Sequence, residues 1–412
     1  MRDFDWRPLG EICKFIDYRG KTPKKTKKGI PLITAKIIKN GFIEKFEEFI
    51  AEEDYESWMR RGIPEYGAVV FTTEAPLGEV AQIKSSEKVA LAQRVITMMG
   101  IDQLLDNNYL KYALQFPPVK SDIQGRASGT TVQGIKSSEL KKVKIPLPEY
   151  EVQVKIGEIL GSLDDKIELN RRMNETLEQM AMALYKHWFV DFGPFQDGEF
   201  MESEIGPIPI NWELRSLYSL ANYINGMAFK QRDLNDQKEG LPVIKISELN
   251  ADSPKSAKYY AGPYQDKYFL NTGDVLFSWS ATLDIYLWSH GPALLNQHIF
   301  NVKSNGSFSK STLYFILKSV INEFKEIAAS RATTMGHIKK EHLEEKLIPY
   351  PPAEVRVKIE SQFANYFDLM LSNLLEINTL AETRDYLLPR LLSGEIEVRE
   401  AEEQVEEVLA HA

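Results

Sequence analysis

From Ile156 onward, a mostly apolar series returns at alternating intervals of four and three, through Leu160, Leu163, Ile167, Asn170, Asn174, Leu177, Ala181, Leu184 and Trp188. A second run with the same rhythm starts at Ile359 and passes through Phe363, Tyr366, Met370, Asn373, Ile377, Leu380, Arg384 and Leu387. This heptad spacing predicts two long helices packed along a shared seam. Asn170 and Asn373 hold equivalent seam positions; such residues either fix the register at a cost in stability or sit solvated near the edge. One helix over 149–187 would run about 58 Å, long enough to hold two attached bodies a set distance apart. Pro389 and Gly394 in "LLPRLLSGEIEV" (387–398) predict the end of the second helix. Arg384 breaks the apolar seam, which predicts an exposed or partner-bound C-terminal stretch.

The two helix starts are copies of each other. "KIPLPEYEVQVKI" (144–156) and "LIPYPPAEVRVKI" (347–359) align without a gap at an offset of 203 residues, as Ile156 and Ile359 show. Upstream, "ASGTTVQGIKSSEL" (127–140) answers "SRATTMGHIKKEHL" (330–343), and "ALAQRVITM" (90–98) answers "ALLNQHIFNV" (293–302). Apolar, β-rich runs follow a glycine turn in both "EYGAVVFTTEAPLGEVAQI" (65–83) and "NTGDVLFSWSATLDIYLW" (271–288). The chain therefore reads as a tandem duplication with a period of about 200 residues, too long for a solenoid. The fold class is α+β: two similar mixed α/β heads in pseudo-twofold tandem repeat, separated by two long antiparallel helices, a coiled-coil-like spacer. The division is 1–147 for the first head, 148–190 for its helix and 191–211 for a Gly/Pro-rich surface linker. The second head is 212–350, its helix 351–393, and 394–412 an acidic tail.

Composition changes this picture at one point. The net charge of −9 argues against a nucleic-acid partner until it is partitioned. Residues 1–147 carry 24 basic and 19 acidic side chains and residues 212–350 carry 16 and 14, whereas 148–211 and 351–412 each carry 5 and 13. The heads are mildly basic and the connecting segments hold the acid, so DNA stays open as a partner. No apolar run reaches the ~20 residues a bilayer requires. The start "MRDFDWRPLG" lacks the form of a secretory signal, and Cys13 has no partner for a disulfide. A cytoplasmic protein without a membrane role is expected.

Catalytic signatures are missing. No phosphate-binding glycine loop, no Asn-Pro-Pro-aromatic methyltransferase motif, no G-x-S-x-G elbow and no paired metal-ligand spacing among the six histidines is present. No catalytic residue and no metal site is assigned. The E-x-x-x-K of Glu151–Lys155 recurs at Glu354–Lys358, so the repeat accounts for it better than a nuclease site does.

A duplicated molecule without catalytic motifs suits recognition of two things at a set distance, and half-sites along a duplex offer that geometry. Lys21, Lys24, Lys25, Lys27 and Lys28 suit phosphate contacts, although a lysine run is as readily a solvated loop. Gln93-Arg94 and Gln297-His298 lie in matching places, and Gln and Arg read adenine and guanine edges. Thr130-Thr131 and Thr333-Thr334 suit phosphate contacts or cap a turn. Further candidates stand at strand ends and in loops: Thr72, Thr73, Arg126, Lys230, Arg232, Ser278, Trp279, Arg331 and His337. A protein-interaction scaffold with two duplicated α/β heads and no DNA role is the alternative.

The stretches "TTVQGIKSSELKKVKIPLPEYEVQVKIGEILGSLDDKIELNRRMNETLEQMAMALYKHWFVDFGPF" (130–195), "IPINWELRSLYSLANYINGMAF" (208–229) and "LLPRLLSGEIEV" (387–398) resemble the specificity subunit of type I restriction–modification systems. The resemblance spans nearly the whole chain. It implies two target-recognition domains, each reading one part of a two-part site in double-stranded DNA, with the helix pair as a ruler. It also implies that this chain is not an enzyme. Two modification (methyltransferase) subunits would carry S-adenosylmethionine, and restriction (translocase/nuclease) subunits would carry ATP and Mg, leaving this chain without a cofactor.

Overall fold

The computed structural model describes residues 4–18, 20, 22–251, 254–330 and 337–410. The chain folds into two compact units, Met1–Ile167 with Leu380–Ala412, and Glu168–Thr379. The divisions fall inside the two long helices, so each unit holds one head and a stretch of both helices.

In the first unit, β1 (Asp5–Pro8), β2 (Cys13–Asp17), β3 (Ile30–Ile33), β4 (Val69–Thr73), β5 (Leu77–Gln82), β6 (Ala90–Leu91), β7 (Val95–Gly100) and β8 (Lys144–Leu147) build the head. An antiparallel sheet has the order β2, β7, β4, β5. β6 runs parallel to β3 in a second sheet, and β1 pairs with β8, tying the start of the head to its end. All of Val69–Thr73 is buried, as expected of a central strand covered on both faces. Leu32, Ile33, Val70, Leu91 and Val95 anchor the core between the sheets.

The second unit repeats this plan with β9 (Glu213–Ser216), β10 (Ala221–Asn225), β11 (Leu241–Ile244), β12 (Val275–Ser278), β13 (Asp284–Leu287), β14 (Ala293–Leu295), β15 (Ile299–Ser304) and β16 (Leu347–Tyr350). The order β10, β15, β12, β13 matches the first antiparallel sheet. β14 is parallel to β11, and β9 pairs with β16. The helices after the sheets also correspond. α1 (Asn107–Ala113) starts at Asp106, whose Oδ1 accepts from Tyr109 N at 2.8 Å. α3 (Lys310–Ser330) follows Ser309, whose Oγ accepts from Thr312 N at 3.3 Å. Both N-caps obey the 203-residue offset.

The heptad runs form α2 (Tyr150–Tyr185) and α4 (Ala353–Ser393). Within the second unit, Trp188 Nε1 donates to Gln362 Oε1 at 2.8 Å, and Asn373 Nδ2 donates to Asn174 Oδ1 at 2.8 Å. The partner number falls as the α2 number rises, so the pair is antiparallel. Ile156, Leu160, Leu163 and Ile167 are buried in the first unit with Leu380. Ile359, Phe363, Met370, Asn170 and Asn373 are buried in the second, where Leu177, Leu184 and Tyr366 are partly buried. Gly157 lets α2 pass close to α1, since a Cβ there would lie 2.8 Å from that of Asn108.

Several expectations need correction. Pro389 does not end α4: it stands inside the helix, one residue before the last turn, at the cost of one backbone hydrogen bond, and Gly394, at φ +70°, follows the last helical residue. The acidic tail is helical, as its sequence allowed, but it is packed rather than frayed: α5 (Val398–Ala410) buries Ala401 and Val405. The 191–211 segment is not merely surface: Phe192, Ile208 and neighbouring Trp212 join the core of the second unit, with the Phe192 and Trp212 rings 5.3 Å apart. Aromatic side chains outweigh the Gly-Pro punctuation there. Arg384 is not exposed, since Asp164 meets its charge within the first unit at 2.8 Å. Asn170 and Asn373 do not act alike: Asn373 bonds to Asn174, whereas the Asn170 amide nitrogen is buried without a partner among the described residues.

Candidate nucleic-acid interface

At one end of the first antiparallel sheet, β4 runs out through Thr73 into the turn Glu74–Ala75–Pro76. Three segments meet that turn. Thr73 N donates to Arg94 O at 3.0 Å, and Ile135 N donates to Thr73 O at 3.0 Å. Glu74 and Gly134 bridge backbone to backbone. Arg94 is exposed and its Nε lies 2.9 Å from Glu74 Oε1. Beside it, Gln93 Oε1 accepts from Thr22 Oγ1 at 2.9 Å. Thr130 and Thr131 are exposed on a tight loop closed by Ser128 and Gly134. Gly129 makes that loop possible, with φ +120° and a hypothetical Cβ only 2.2 Å from Val132 O. A surface hollow of about 500 Å³ opens next to it, lined by Ala75, Pro76, Leu77, Gln124, Thr131, Val132 and Gln133.

The same corner of the second unit carries different chemistry. Trp279 takes the place of Thr73: its N donates to His298 O, and its O accepts from Ile338 N. Its ring lies 5.0 Å from the His298 ring, 5.7 Å from His337 and 5.8 Å from Phe300. The indole Nε1 donates to Asn225 Oδ1 at 3.2 Å. The two imidazoles are nearly parallel, 6.4 Å apart, and each has a buried Nδ1 without a hydrogen-bond partner among the described residues. His298 is held at φ +74°, an uncommon conformation for a residue with a Cβ. Gln297 is exposed beside it.

The other candidates divide by burial and by charge partner. Thr72, Thr73 and Ser278 are fully buried or nearly so, with hydroxyls bonded inside the protein, where a duplex does not reach them. Their strand-end position suggested exposure, but both faces of β4 and β12 are covered. Lys25 pairs with Glu48, Arg126 with Asp122 and Glu139, and Arg232 with Asp233. Lys24, Lys27, Lys28 and Lys230 are exposed, with no ion pair among the described residues. Lys21, Arg331, Thr333 and Thr334 lie outside the described residues. Sequence reasoning missed Thr22, Glu74 and Asn225. Glu74 was the most accessible of these, as an acid immediately after the small polar run that closes β4.

The family described as type I restriction modification DNA specificity domain matches twice, over residues 1–179 and 209–379. The chain belongs to this family. Each match covers one of the two heads with part of a long helix, so this DNA specificity protein carries the domain in two copies, and a scaffold without a DNA role is not favoured. The type I restriction enzyme MjaIX specificity subunit of Methanocaldococcus jannaschii is 27% identical over 97% of this chain and 95% of its own length. The HindI specificity subunit of Haemophilus influenzae is 27% identical over 65% of this chain and 72% of its own. A crystal structure of a type I restriction–modification S subunit from M. genitalium matches over 95% of this chain and 97% of its own, at 17% identity and a TM-score of 0.49. Two features limit the chemistry of this specificity-family chain. No described helix is long and apolar enough to cross a membrane. Burial pushes the Cys13 thiol up to about 12, which leaves it unreactive.

Proposed function

We propose that this chain is the non-catalytic recognition subunit of a type I assembly, each head reading one part of a two-part site in double-stranded DNA. The observation that carries this reading is the pair of repeat-related corners, each in its own DNA specificity domain and each with different side chains. In the first head, Gln93 and Arg94 supply groups that hydrogen-bond base edges, with Glu74 aligning the guanidinium. In the second, Trp279, His298 and His337 offer apolar and imidazole surface, with Gln297 at its edge. The two corners therefore suit different half-sites. Lys24, Lys27, Lys28 and Lys230 supply phosphate contacts, which add affinity without choosing sequence.

On the same reading, α2 and α4 act as the ruler between the half-sites and dock two modification subunits. S-adenosylmethionine sits on those subunits. Restriction subunits bring ATP and Mg, and the assembly works in the cytoplasm. Random-sequence DNA selection on the chain co-expressed with its methyltransferase tests the proposal. A two-part motif with a fixed gap is the expected result; an intact, soluble complex that enriches no sequence would refute it.

A further inference from the structure

A buried ion network in the first unit has no counterpart at the repeat-related positions of the second. Asp164, on α2, is 1% exposed. Its Oδ2 accepts from Lys111 Nζ at 2.5 Å and from the Tyr112 hydroxyl at 2.7 Å. Its Oδ1 accepts from Arg384 Nη1, on α4, at 2.8 Å. The network therefore joins the two long helices to α1. Under the 203-residue offset fixed by Ile156 and Ile359 and by the caps Asp106 and Ser309, Lys111 becomes Tyr314, Asp164 becomes Phe367 and Arg384 becomes Ala181. Those three belong to one buried apolar cluster of the second unit, with the Tyr314 and Phe367 rings edge to face at 5.8 Å.

A tandem repeat gives every spacer helix two possible partners: the other helix of its own chain, or the same helix of a second copy. An apolar seam alone discriminates poorly, because both copies follow one heptad rhythm. We infer that the Lys111–Asp164–Arg384 network makes the choice, so that α2 accepts α4 and rejects a second α2. Pairing α2 with α2 would bring Ala181 of the other copy to the place of Arg384. Asp164 would stay buried with one cation removed and Oδ1 unbonded. Stripping one member from a buried ion network is costly because the remaining charge stays desolvated. Pairing α4 with α4 would set Arg384 against Phe367 and Tyr314, with Phe367 standing where α2 offers the Asp164 carboxylate. Only neighbouring Asp385, 2.9 Å from Arg384 Nη2, would remain to it. In the second unit the three repeat-related positions carry no charge, although Glu178 beside them accepts from the Tyr314 hydroxyl and pairs with Lys318, so the discrimination argued here rests on the first unit.

The test starts from the folded whole protein, cut at a protease site placed in the exposed 197–199 stretch. The fragments are released in urea and re-associated by dilution in a mixture with an isotope-labelled copy, and native mass spectrometry counts the pairs. The wild type is expected to favour N-fragment with C-fragment pairs over N with N by at least about tenfold. The apolar variant Lys111→Tyr/Asp164→Phe/Arg384→Ala, which copies the second unit, is expected to lose that preference. Moving the cation, in Ala181→Arg/Arg384→Ala, is expected to invert it toward N with N pairs. An unchanged preference in either variant overturns the inference. So does a wild type that pairs indifferently. If both variants fail to pair at all while the wild type succeeds, the network serves general stability and the inference also falls.

Discussion

Asp164 and Arg384 are 220 residues apart in sequence and share a 2.8 Å hydrogen bond in a buried site. Burial opposes the Asp164 charge, but Lys111 and Arg384 outweigh it and hold the carboxyl below its usual range. Burial also draws the Lys111 ammonium toward neutrality, with Asp164 working against it. With Tyr112 and Arg384 both donating to the carboxylate, Asp164 is ionised. Asp164→Asn should therefore destabilise the first unit by about 3 kcal/mol in chemical denaturation at neutral pH. Because the native pKa is depressed, this contribution is complete above the unfolded value of about 4 and is lost as pH falls through the native one. The gap between wild type and variant should begin to shrink as pH falls below about 4 and continue to shrink toward the depressed native pKa; a gap that does not change at all on acidification would contradict the assignment.

Asn170 should behave in the opposite way. Its buried amide nitrogen lacks a partner, so Asn170→Leu should stabilise the helix pair by about 1 kcal/mol, read as a higher denaturant midpoint. A drop in stability would mean that the amide carries out a bonding role in solution.

Glu74 pairs with Arg94 at the first corner, so Arg94→Ala should relax preference at one base pair of the first half-site by about 1–3 kcal/mol. The second half-site should keep its profile in a binding selection. Relaxation in both halves would argue that Arg94 acts through the fold.

Trp279→Ala or His298→Gly should alter the second half-site alone. Glycine suits the φ of +74° at residue 298, so the variant removes the imidazole without straining the backbone. An unchanged motif would remove the aromatic corner from the reading surface.

Lys24→Ala/Lys27→Ala/Lys28→Ala should weaken binding evenly across sequences and lower the salt slope by about 0.9 for each phosphate left unneutralised. A change in which bases are preferred would transfer these lysines from phosphate to base recognition.

The duplication, the antiparallel helices and most of the seam were legible because heptad spacing and a gap-free offset are local signals of burial. The polar exceptions were not. Arg384 looked exposed because its partner Asp164 belongs to another helix, and sequence spacing says nothing about charges that meet across tertiary structure. Thr72 and Ser278 looked accessible because a strand end is accessible only where the sheet leaves a face open. Pro389 misled for a different reason: it removes one bond to the carbonyl of Asp385, and the four residues that follow it continue the helix to Ser393 all the same. At the two corners the repeat placed Gln93-Arg94 and Gln297-His298 in matching positions, as the structure shows them. The pairing of Arg94 with Glu74 and the stacking around Trp279 depend on loops that converge only after folding.

Residues 380–410 lie in the first unit, although most of that unit is encoded before residue 168. A ribosome that has emitted the first head and α2 has produced Asp164 and Lys111 but not Arg384. The domain begun first is therefore completed last, after every residue of the second has been made. Truncation at the extreme C-terminus consequently damages the N-terminal domain, and a nascent chain stalled before residue 380 exposes an unfinished first unit beside a fully synthesised second one.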